Sequence, residues 1–229
     1  MHIPDGYLSP ETYIPLDGVF VLFTAIAVKK VKKEVSARNI PYLGMAAAFS
    51  FIIMMFNLPV PGGTTGHAVG SAVIAIIFGP WTATIAVSVA LIIQALIFGD
   101  GGISVIGANC FNMAIFMSFA AYFIFKIFSI NLEKKARVLV AAFISGYLSL
   151  VMAAILTATE LGLQPLITSA TDGKFIFFPY SLKVAIPAMA IEHLLLFGIV
   201  EGIITSAVVS FFLRSEPCLI YSFRKGGQK

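Results

Sequence analysis

The sequence predicts an all-α, polytopic membrane protein: seven transmembrane helices in a single domain over residues 1–229, its first residue outside and its last in the cytoplasm. Three observations predict this. Only 11% of the residues are charged and 59% are hydrophobic, with a mean hydropathy of +0.97. Soluble domains run at roughly 45–50% apolar and about 25% charged, so a soluble enzyme is excluded first. Seven nearly uncharged apolar runs recur along the chain, and the basic residues gather in alternate gaps between them.

The first run, roughly 13–28, follows a segment that holds Asp5 and Glu11 but no Lys or Arg before Lys29. A signal peptide would begin with basic residues, so this segment is expected to stay attached. The second run, roughly 40–58, is crowded with small residues. Gly44/Ala48 and Ala46/Ser50 are pairs four apart that let helix backbones approach closely, either within the bundle or against a partner. The third run, roughly 67–79, is shorter than the ~20 residues of a full crossing and ends at Gly79-Pro80, a turn signal. It is expected to be a tilted or partly sheltered span that returns at once as the fourth, roughly 81–99. The fifth and sixth occupy roughly 110–128 and 138–159.

The seventh run, roughly 184–213, exceeds what a bilayer needs and carries Glu192, His193 and Glu201. Ionisable residues at such depth are costly and face a cavity or a partner. Nine positions separate the two glutamates, about 180° on a helix of ~3.6 residues per turn, so they are not expected to form one compact pair. His193 is open to a bundle-interior hydrogen bond or a place beneath a ligand site.

Lys29, Lys30, Lys32, Lys33 and Arg38 follow the first run; Lys126, Lys134, Lys135 and Arg137 surround the gap after the fifth; Arg214, Arg224, Lys225 and Lys229 follow the last. Seven alternating spans place all of these on one side, leaving only Lys174 and Lys183 opposite. The positive-inside rule makes that side cytoplasmic. The net charge of +4 is therefore a topology signal rather than a nucleic-acid one. Cys110 and Cys218 then fall near opposite faces, too far apart for a disulfide.

The N-terminus carries the chemistry. It reads Met1-His2-Ile3-Pro4-Asp5-Gly6-Tyr7-Leu8. A free amine, the next amide nitrogen and a position-2 imidazole can close five- and six-membered chelate rings around one ion, giving three nitrogens in a plane. Planar nitrogen fields suit Ni(II) and Cu(II), whereas zinc prefers a tetrahedron and calcium or magnesium oxygen ligands. Of three histidines, His67 follows Pro61-Gly62-Gly63-Thr64-Thr65-Gly66 in an outer loop and can supply the fourth nitrogen. Thr64 or Thr65 is expected to cap a helix that His67 opens, whose positive end keeps the imidazole neutral. Taken singly, each histidine also reads as a frayed terminus or a satisfied loop residue; the pair on one face leaves the two readings even.

The opening Met1–Leu8, Pro61–His67 and the stretch Gly99-Asp100-Gly101-Gly102-Ile103-Ser104-Val105-Ile106-Gly107-Ala108-Asn109 resemble the NikM/CbiM family, the substrate-binding membrane components of energy-coupling factor transporters for nickel and cobalt. The resemblance covers essentially the whole chain. It implies an extra N-terminal helix before a six-helix core, and a metal held by the Met1 amine, the His2 amide and imidazole, and His67. Asn109, Asn112, Asp17 and His193 are candidates to orient those ligands. Gly44, Ala46, Ala48 and Ser50 are candidates to meet a transmembrane coupling subunit. The implied partners are that subunit, two ATPase subunits and a small auxiliary membrane subunit, in the plasma membrane of a prokaryote; no cofactor and no nucleic acid are expected.

The sequence holds no Gly-x-x-x-x-Gly-Lys-Ser/Thr loop and no His-Glu-x-x-His, so neither ATP hydrolysis nor zinc proteolysis is expected of the chain itself. The expected function is capture of Ni(II) for ATP-driven uptake. Co(II) uptake by the same kind of component, or a stand-alone secondary carrier, are the alternatives.

Overall fold

The computed structural model describes residues 1–34, 40–129, 135–168, 176–217 and 220. Among them, seven helical stretches coincide with the seven apolar runs: α1 (Pro10–Glu34), α2 (Ile40–Met54), α3 (Ser71–Phe78), α4 (Pro80–Phe98), α5 (Ile106–Phe128), α6 (Lys135–Gly162, with a further turn Gln164–Ile167) and α7 (Leu182–Ser215). Four are long and apolar enough to cross a membrane: α4, α5, α6 with its extra turn, and α7. Arg38, Lys134, Lys174, Cys218, Arg224, Lys225 and Lys229 lie outside the described residues.

The third run departs from its expected shape. Helix α2 stops at Met54, and residues 55–70 enter the bundle without helical structure, through a two-residue antiparallel pairing of Leu58 with Gly66 and Pro59 with Thr65. The helix does not open at His67. It begins at Ser71, with Gly70 as N-cap in the left-handed region (φ 75°), and neither Thr64 nor Thr65 caps it. The cap comes from α7 instead: the Glu201 carboxylate accepts from Val69 N–H at 2.8 Å and from Gly70 N–H at 3.0 Å. Ser50 on α2 donates to Val69 C=O at 2.8 Å. Irregular backbone at membrane depth is tolerated where protein surrounds it and satisfies its polar groups. Here α3 is buried from Ser71 to Ile77, packed by α4, α5, α6 and α7.

Helix α7 contains a π-turn at His193–Phe197. Such a turn inserts one residue and resets the phase of everything after it. The two glutamates are consequently not on opposite faces: Glu192 packs against Gly66, and Glu201 holds Val69 and Gly70. The uniform 3.6-residue count failed because it has no place for the inserted residue.

Helix α1 packs on α4 and α5, with Lys30 Nζ 5.0 Å from the centre of the Trp81 ring. In α2 the small residues divide: Ala46 and Ser50 are buried, whereas Gly44 and Ala48 are exposed.

Candidate metal centre

The first nine residues thread into the bundle end opposite the basic helix termini, and side chains from α5 and from the turn after α6, with the loop before α5, fix them there. Asn109 of α5 clamps one residue from both sides, accepting from Ile3 N–H at 2.8 Å and donating to Ile3 C=O at 3.1 Å. Gly102 N–H also donates to Ile3 C=O, at 2.8 Å. Asp5 accepts from the Ile103 and Ser104 amides at 3.0 and 2.8 Å. A Cβ on Gly102 would lie 2.4 Å from Asp5 N, so only glycine lets the two segments meet. Gln164 of the turn after α6 accepts from Ser9 N–H at 2.9 Å.

This threading buries Met1, Ile3 and His2, the last at 2% exposure. The Met1 amine donates to Thr65 C=O and, at 2.9 Å, to Thr65 Oγ1. The His2 and His67 rings stack with centroids 4.5 Å apart and planes 21° from parallel. His67 Nδ1–H donates to Ala68 C=O at 3.1 Å, which leaves the lone pair on Nε2. His67 Nε2 and both ring nitrogens of His2 are buried without a hydrogen-bond partner. Asp100 approaches from the mouth: one carboxylate oxygen lies 3.3 Å from His2 Nδ1, and the other accepts from Asn57 Nδ2 at 3.1 Å.

Burial dominates the electrostatics. It lowers the amine from its ordinary 8.0 to about 4, against the pull of the Asp100 and Glu192 carboxylates. Burial, followed by the neighbouring amine, lowers His2 to about 3. The same two effects, then His2, hold His67 well below its usual range. At neutral pH the pocket therefore presents uncharged nitrogens with free lone pairs, the form a transition metal requires. Burial, and not a helix terminus, keeps His67 neutral. No three His, Cys, Asp or Glu side chains cluster as metal ligands among the described residues.

The remaining candidates fall in different places. Asn109 sets the position of the N-terminal segment without touching a histidine ring in a hydrogen bond. Asn112 donates to Glu160 at 2.8 Å rather than to an imidazole, because its helix face turns toward α6. Asp17 accepts from Gly107 N–H at 2.8 Å and ties α1 to the start of α5. His193 is fully buried on α7 with its Nδ1 against Met189 C=O at 2.7 Å. Asp100, Asn57 and Gln164 were missed as individual residues, and Thr65, expected as a helix cap, instead accepts from the Met1 amine. The Asp100 turn was visible as part of a glycine-rich motif, but nothing in the local sequence ties Gln164 to residue 9.

A helical membrane bundle with a buried nitrogen pocket at one end defines a class, the membrane components of transition-metal transport. The comparisons agree. A family profile described as "Cobalt uptake substrate-specific transmembrane region" matches residues 2–219, and the chain belongs to this NikM/CbiM family. It is 45% identical over 222 residues to the fused nickel transport protein NikMN of Rhodobacter capsulatus, covering 96% of this chain and 64% of that one. It is 44% identical to a putative metal transport protein of Methanocaldococcus jannaschii, over 97% of this chain and 96% of that one. The cobalt transport protein CbiM of Geobacter sulfurreducens is 33% identical over 96% of this chain and 61% of its own. The chain thus spans about two thirds of the fused nickel relative. The crystal structure of a transition metal transporter superposes with a TM-score of 0.89 at 44% identity, covering 99% of this chain and all of the other.

Proposed function

We propose that this protein is the substrate-binding membrane subunit of an energy-coupling factor importer, taking Ni(II) from the outer face of a prokaryotic plasma membrane through seven spans oriented with residue 1 outside. The Met1 amine, the His2 amide nitrogen, His2 Nδ1 and His67 Nε2 make a planar four-nitrogen field. One observation carries the reading: the Met1 amine and two imidazoles with unpartnered ring nitrogens are buried together at one end of the bundle.

Binding needs little reorganisation. The amine and imidazoles are already neutral, and the amide alone must give up a proton as its nitrogen bonds to the metal. The proton passes to water, and the net charge brought into the pocket is +1 rather than +2. Asp100 at the mouth attracts the incoming cation. A planar field with an anionic amide favours low-spin Ni(II). Release inside is driven by two ATPase subunits acting through a transmembrane coupling subunit, with a small auxiliary membrane subunit in support. The fused nickel relatives, about half as long again as this chain, are in keeping with a further component.

The test uses the chain's own beginning. Met1 is buried, so a short peptide placed ahead of it acylates the amine and has no room in the pocket. Purified tagged protein is expected to remain folded and to bind no nickel in equilibrium dialysis. Retention of nickel by the tagged protein overturns the chelate.

A further inference from the structure

A divalent ion held by three neutral nitrogens and one amide anion brings a net positive charge to a buried site, and a buried charge without a counter-charge is costly. Two carboxylates act on the Met1 amine, those of Asp100 and Glu192. Asp100 stands at the mouth, where one of its oxygens is engaged by Asn57 Nδ2 at 3.1 Å. Glu192 comes from α7, and nothing in the capture of the ion has yet used it.

Glu192 reaches the site through a backbone contact. A Cβ on Gly66 would lie 2.5 Å from Glu192 Oε2 and 2.7 Å from Phe197 Cε2, so the glycine lets carboxylate and ring close on the chain just before His67. The Met1 amine donates to Thr65 C=O, the carbonyl of the peptide that joins Thr65 to Gly66. Amine and carboxylate therefore meet neighbouring atoms of one Thr65–Gly66 unit, with His67 next in the chain. The π-turn His193–Phe197 begins immediately after Glu192 and sets Phe197 on the same glycine. Glu192 Oε2 is buried and accepts no hydrogen bond. Among the described residues no lysine or arginine forms an ion pair with it. A buried carboxylate oxygen without a donor or a cation is destabilising, and an ionisable side chain within a membrane helix faces a cavity or a partner.

We propose that Glu192 is the counter-charge of the captured ion: it stays outside the ligand set, and its carboxylate balances the positive metal–amide complex from the far side of Gly66. This rests on the four-nitrogen reading above. Charges need not touch to matter here, because opposite charges a few atoms apart in a protein interior interact strongly enough to change an affinity about tenfold. The carboxylate oxygen has no partner within the protein, so its cost falls on the metal-free chain and its benefit on the loaded one. Replacing it by a neutral group moves the two states in opposite directions.

The full chain, purified in detergent, is titrated with Ni(II), and its melting is followed with and without the metal. Glu192→Gln is expected to weaken nickel binding about tenfold or more while the melting temperature of the metal-free chain stays the same or rises. The visible spectrum of its nickel complex is expected to match wild type, because the four nitrogens are untouched. Glu192→Asp keeps the charge and is expected to lose less affinity than the glutamine variant. Glu192→Leu removes the charge at similar volume and reads the same points should the glutamine variant not fold. Wild-type nickel affinity in Glu192→Gln overturns the proposal. So does a lowered metal-free melting temperature with equal loss of affinity in the Gln and Asp variants, the result of a packing role on Gly66, and so does a changed spectrum, which would make Glu192 a ligand. Wild-type protein that binds no nickel overturns the four-nitrogen reading itself.

Discussion

At the scale of single residues, the chemistry depends on moving three basic groups out of their ordinary titration range. In an exposed peptide the amine, near 8, and the imidazole, near 6.5, compete with metal for their own protons at neutral pH. In the pocket the amine falls to about 4 and His2 to about 3, both because burial penalises charge. On the proposed chelate, only the amide proton remains to be displaced between pH 6 and 8. Nickel affinity measured at fixed ionic strength is therefore expected to rise about tenfold per pH unit over that window, one proton per metal. A slope of two or more would mean that the amine or an imidazole still carries its proton. The linkage to docking has the same sign. A base whose pKa is depressed in the folded state contributes stability above its free value and loses it as pH falls, so the terminal strand is expected to loosen between about 8 and 4. His2 stood out in the sequence because a position-2 histidine beside a free amine is chelate chemistry whatever the fold, and His67 through its Pro61–His67 loop and the family resemblance; the structure brings the two rings together. The contacts of Asp100 with His2 and of Thr65 with the Met1 amine were not legible, because they arise only through the packing of loops far apart in the chain.

At the scale of elements, hydropathy located every helix but not the break before α3. Apolar composition drives partition into a bilayer and sets where helices form; it does not report which carboxylate will cap one. Glu201 lies 131 positions from Gly70, yet its two oxygens satisfy the Val69 and Gly70 amides that begin α3. Glu201→Ala strands two buried N–H groups and is expected to cost about 3 kcal/mol of stability, read as a lowered melting temperature in detergent. Because His67 is two residues before Val69, nickel affinity should fall with it. Glu201→Gln presents one acceptor oxygen in place of two and should lie between. Unchanged melting and unchanged affinity in the alanine variant would show that α3 is held by its flanking helices alone.

At the scale of the whole molecule, the seven stretches form a body with two unlike ends. The terminal segment meets the start of α5, the end of α6 and the approach to α7, while Lys29, Lys30, Lys126, Lys135, Arg137 and Arg214 occupy the other ends of the helices. The charge pattern made that polarity readable, because basic residues near helix ends resist translocation independently of how helices pack. The lateral face is harder to read, since lipid and a partner helix are equally apolar. Helix α2 resolves part of it. Ala46 and Ser50 are used inside the bundle, Ser50 bonding Val69, so only Gly44 and Ala48 remain as a small-residue stripe on the outside. The space around Gly44 is open, with no atom within 4 Å of where its Cβ would be. A bulky side chain there leaves the fold alone but prevents a second helix from approaching. Gly44→Trp is accordingly expected to bind nickel as wild type and, in cells that also make the coupling and ATPase subunits proposed above, to lower uptake about tenfold. Ala46→Trp should instead destabilise the isolated chain. Full uptake by Gly44→Trp and an equivalent Ala48→Trp variant would remove this face of α2 from the docking surface and leave the coupling subunit to another side of the bundle.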